Sequence, residues 1–79
     1  PAQLEQSLAD GREAEQLYRS GSNEWLRVRL ESARMLRRLG RKDECRKLVG
    51  ITRLLYPDAG TPETRDGLQN LQRALAASR

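Results

Sequence analysis

The sequence predicts an all-α fold: one small domain of about four helices arranged as antiparallel hairpins. Two observations carry that expectation. Apolar residues recur at three- and four-residue spacing along most of the 79-residue chain, and no segment alternates with period two for long enough to make a strand. Glycine, proline and capping residues interrupt the pattern with short connections, which force neighbouring helices to run antiparallel.

The first helix is expected over about residues 3–20, where Leu4, Leu8, Ala14, Leu17 and Tyr18 make the apolar stripe and Ser20, Gly21 and Ser22 end it. Ser22, Asn23 and Glu24 then supply an N-cap and a first-turn acid, and Gly40 supplies the stop, giving a second helix over about 24–39. Asp43 and Glu44 suit the first turn of a third helix over about 42–56. Its apolar stripe is Cys45, Leu48, Val49, Ile51, Thr52 and Leu55, and Pro57 forbids continuation. Thr61 as cap, Pro62 at the first helical position and Glu63 behind it open a fourth helix over about 62–77, carrying Leu68, Leu71, Ala74 and Leu75.

Composition narrows the function classes. Hydrophobic residues are 37% and charged residues 33% of the chain, with two Tyr, one Trp and no Phe, so any core is thin and mostly aliphatic. No His and a single Cys exclude His-based catalysis, zinc frameworks and an internal disulfide. The expectation is therefore a non-enzyme without a cofactor or metal. No apolar run is long enough to span a membrane. Compartment is left open, with a cytoplasm keeping a lone thiol reduced most easily.

The net charge of +4 is unevenly spread. Residues 1–26 carry two basic against five acidic side chains, residues 27–53 ten against three, and residues 54–79 three against three. Thirteen of the fifteen basic residues are Arg, the side chain suited to two-pronged recognition of carboxylate or phosphate. On a helical wheel Trp25, Val28, Met35, Leu36 and Leu39 fall on one side of the second helix, extended by Leu26 and Ala33. Arg27, Arg34, Arg38 and Arg41 cluster on the other, with Arg37 and Leu30 adjoining.

Residues 26–59 form a 34-residue helix–turn–helix unit with Ala33 and Leu36 in the first helix, Gly40 at the turn, Cys45 and Thr52 in the second and Pro57 at the end. In these features the chain resembles the tetratricopeptide repeat family, with one full repeat and a flanking helix on either side. It departs from that pattern at Arg29, where the family often places an aromatic, at Ser32, where it favours Leu, and at Cys45 and Thr52, where it favours Ala. A shift of 34 residues lays Gly11 on Cys45 and Ala33 on Gly67, so small residues recur where helices must approach closely. A generic four-helix domain also accommodates the spacing.

The resemblance implies a protein-interaction scaffold whose groove is lined by Arg27, Leu30, Arg34, Arg37 and Arg38. Such a groove, with Arg41 beside it, suits an acidic partner segment, Leu30 adding an apolar contact. A solvated basic face is the alternative. A chaperone or assembly subunit working through apolar edges is another, with Leu54 exposed beside the notch at Gly50 and weak self-association expected. Nucleic-acid binding fits less well, because Ala33 and Gly40 are too far apart for a DNA-reading helix–turn–helix and Asp43 and Glu44 would face phosphate. Cys45 is expected to be a buried structural thiol, and Tyr18, Trp25 and Tyr56 to staple helix ends.

Overall fold

The structure, a computed structural model, describes residues 2–77. It contains four helices among them: α1 (Ala2–Leu17), α2 (Asn23–Arg38), α3 (Lys42–Leu55) and α4 (Pro62–Ala77). Each start and stop has a local cause. The Ser22 hydroxyl accepts from the Trp25 amide at 3.2 Å, capping α2. At its other end Gly40 takes φ of 78°, and the Gly40 and Arg41 amides donate to Arg37 and Leu36 carbonyls at 3.0 and 2.9 Å. This is the paired bonding of a Schellman stop. The Thr61 hydroxyl caps α4 by accepting from the Thr64 amide at 3.3 Å. α1 ends three residues sooner than its apolar pattern suggests, because Tyr18 bonds back only three residues, to Glu15, as the chain turns.

α2 is the centre of the molecule. α1 and α3 each pack on it, and α4 packs on both α2 and α3, whereas α1 has no Cα within 8 Å of α3 or α4 among the described residues. Leu8, Leu30, Ala33, Leu36, Cys45, Val49, Leu68, Leu71 and Leu75 make the core, with Met35, Leu39 and Leu48 partly buried against it.

Small residues stand where the helices approach. A Cβ at Gly11 would lie 2.8 Å from the Ser32 hydroxyl, and one at Gly67 would lie 2.6 Å from a Leu30 methyl. Cys45 is fully buried, and its thiol donates to the Ala33 carbonyl at 3.1 Å. Burial pushes that thiol up, although Arg37 and Arg46 pull the other way. Trp25 and Tyr56 meet edge to face at 5.2 Å, stapling the start of α2 to the end of α3.

Several expected core residues lie outside it. Leu17, Ile51 and Leu55 are 81%, 50% and 62% exposed, and Tyr18 is exposed too. The physical reason is the gap between α1 and α3: both lean on α2, so no helix covers their outward stripes. Val28, on the expected core side of α2, is only half-buried.

Candidate functional site

The arginines divide into those bound within the fold and those left free. Arg29 is bound most heavily. Its Nε donates to Glu15 of α1 at 2.6 Å, its Nη1 donates to the Thr52 hydroxyl of α3 at 2.9 Å, and its guanidinium lies 4.3 Å from the Trp25 ring centroid. Thus a single cation ties three helices together. Thr52 remains satisfied in its burial, since its hydroxyl donates in turn to the Leu48 carbonyl at 2.6 Å.

On α3, Arg46 donates to Asp43 at 3.0 Å and to the Leu75 carbonyl of α4 at 3.2 Å, and Arg53 donates to Gln72. Both strap α3 to α4. Arg41 sits before the first turn of α3 and donates with two nitrogens to Glu44. That hydrogen bonding holds the Glu44 carboxyl below its ordinary range and raises the Arg41 guanidinium. Arg41 lies outside the depressions between α2 and α4 and is paired within its own helix.

Arg27, Arg37 and Arg38 are exposed and form no ion pair among the described residues, while Arg34 shares Glu31 at 2.9 Å across an exposed helix turn. These four define the candidate surface. Arg34, Arg37 and Arg38 of α2 line one depression of about 350 Å³ with Gly67, Asn70 and Leu71 of α4. Arg27 and Arg34 continue it into a second depression of about 420 Å³, which Glu24, Glu31, Glu63 and Thr64 also line. The groove between α2 and α4 is thus cationic at the C-terminal end of α2 and mixed in sign at the N-terminal end.

Leu30 requires a correction. It lines the floor of the second depression, but at 4% exposed it belongs to the core and offers a ligand little apolar surface. The cause lies on α4, where Gly67 lets that helix settle against Leu30. Gly50 and Leu54 stand as expected on the outer side of α3: Leu54 is 80% exposed, and a Cβ at Gly50 would meet nothing within 4 Å.

Sequence reasoning missed Asn70 and Leu71, which come to the groove from α4. Their signal lay in Gly67, whose small size marks where α4 approaches the Arg-bearing helix. Among the described residues no three His, Cys, Asp or Glu side chains gather as a metal site, and no helix is long and apolar enough to cross a membrane. The chain matches no protein-family profile, no curated protein and no solved structure.

Proposed function

We propose that this chain is a non-catalytic, tetratricopeptide-like interaction module that binds an acidic segment of a partner protein in the groove between α2 and α4. One observation carries the reading: Arg34, Arg37 and Arg38 line a single depression beside Asn70, and two of the three have no ion-pair partner among the described residues. Desolvating such a cluster is costly unless a ligand supplies carboxylates, and a planar guanidinium accepts each carboxylate through two parallel hydrogen bonds. Asn70 adds an amide able to donate or accept at the same wall. The mixed-sign end near Glu24 and Glu63 orients the ligand by repelling its acidic part.

The test is fluorescence anisotropy of a labelled Glu- and Asp-rich peptide against the wild-type chain and Arg37→Glu/Arg38→Glu. Both sites are exposed, so folding should be unaffected. The double reversal should weaken binding by at least about tenfold, and raising salt should weaken wild-type binding in parallel. Unchanged affinity in the reversed variant would refute the groove.

A further inference from the structure

We propose that the outward stripe of α3 is the surface through which two copies of this chain pair, antiparallel and two-fold. This inference uses a different face from the acidic-segment groove and does not depend on it. Leu48, Ile51 and Leu55 follow one another at spacings of three and four, the seam of a helix pair. Leu54 stands beside them. Ile51, Leu54 and Leu55 are 50%, 80% and 62% exposed, three large apolar side chains within five residues. The seam runs into a depression of about 400 Å³ between α1 and α3, floored by Leu8 and Leu36.

The occupant follows from shape and charge. A two-fold axis crossing the outward side of α3 at the level of Thr52, whose own side chain faces the core, sets Leu54 of each copy opposite Gly50 of the other, where a Cβ would have open space, with Ile51 and Leu55 flanking this contact. Asp43 and Glu44 are paired with Arg46 and Arg41, which leaves Lys47 as the cation α3 itself sets along the stripe, near Glu44 and across the depression from Arg12 of α1. A parallel pair would set Lys47 against its own copy. An antiparallel pair instead brings it to the Pro57–Asp58 turn of the other chain, whose exposed carboxylate is complementary. Two other faces are less suited to pairing. A two-fold contact on α2 opposes arginine to arginine, and the outer side of α1 carries Glu5 and Glu13.

Sedimentation equilibrium of the full chain from about 10 µM to 1 mM tests this, the upper limit chosen because so small an apolar seam falls in the weak, transient class of interfaces. The mass should rise with concentration from 9.0 kDa toward twice that value. Leu54→Glu should weaken pairing by at least about tenfold. Gly50→Leu separates a shaped contact from general stickiness: filling the notch should also weaken pairing, whereas a non-specific patch would associate more tightly. Circular dichroism checks that both variants, altered at open positions, remain helical. A constant 9.0 kDa mass, a dimer indifferent to Leu54→Glu, or tighter pairing in Gly50→Leu would each overturn the proposal.

Discussion

Replacing Arg29 by Ala should cost this domain more than any other single change of an arginine, although nothing about its charge sets it apart in sequence. Its guanidinium bonds Glu15 and Thr52 and covers Trp25, with the Arg29 and Glu15 side chains only 22% and 16% exposed. A hydrogen bond to a charged group contributes about 1.5–3 kcal/mol, and a partly desolvated cation over an aromatic about 0.5–2 kcal/mol. Discounting for residual solvent, the expected loss is about 2–4 kcal/mol, out of about 4–12 kcal/mol for a domain of this length. Urea unfolding followed by circular dichroism should show it as a lowered midpoint with little change in slope, and Tm should fall by roughly 4–8 °C per kcal/mol. Arg29→Lys keeps the charge but loses the planar fork, so it should fall between wild type and Arg29→Ala. A double-mutant cycle with Glu15→Gln should return a coupling of about 1–2 kcal/mol. A loss under about 0.5 kcal/mol in Arg29→Ala would refute the claim that this cation holds three helices together.

Other perturbations follow from the same packing. Gly67→Ala forces a methyl against the buried Leu30, so overpacking should outweigh the gain in helix propensity, leaving a net loss of up to about 2 kcal/mol by urea unfolding. Gly50→Ala, with nothing to strike, should instead gain about 0.5–1 kcal/mol. Ser32→Ala should stabilise by about 0.5–1.5 kcal/mol, since its buried hydroxyl has no hydrogen-bond partner in the described fold, and a loss on thermal melting would contradict that. Burial raises the Cys45 thiol in the folded state, so the unfolded chain releases its proton first as pH climbs. Stability should therefore be full below the unfolded thiol value of about 8.5 and fall above it, and Cys45→Ala should flatten that alkaline decline.

The helices were legible because their boundaries are written locally. Gly40 with its left-handed φ, Pro57 after α3 and Thr61–Pro62 before α4 each act within a few residues of themselves. The site was legible only in part. Arg27, Arg34, Arg37 and Arg38 share a face by helical periodicity, and that needs one helix alone. Leu30 shows the limit: a wheel drawn for α2 treats one side as core and the other as open, whereas α4 closes over part of the arginine side through Gly67. Arg29 escaped for a related reason. Its partners lie 14 and 23 residues away, and no spacing rule connects them. Ile51 and Leu55 have core-like spacing but lack cover, because whether α1 touches α3 is decided by how each leans on α2.

The central proposal is that the arginines lining the groove between α2 and α4, rather than the chain's basicity as a whole, recognise a partner. An NMR titration of the isotope-labelled chain tests it most directly, run at physiological salt, where the Debye length is about 8 Å, against an acidic peptide and separately a mixed-sequence oligonucleotide. Saturable shifts from the peptide are expected at Arg34, Arg37, Arg38, Gly67 and Asn70, with Arg29, Arg46 and Arg53 little moved. Shifts from the oligonucleotide alone, persisting as salt rises, or peptide shifts spread evenly over every arginine, would contradict it.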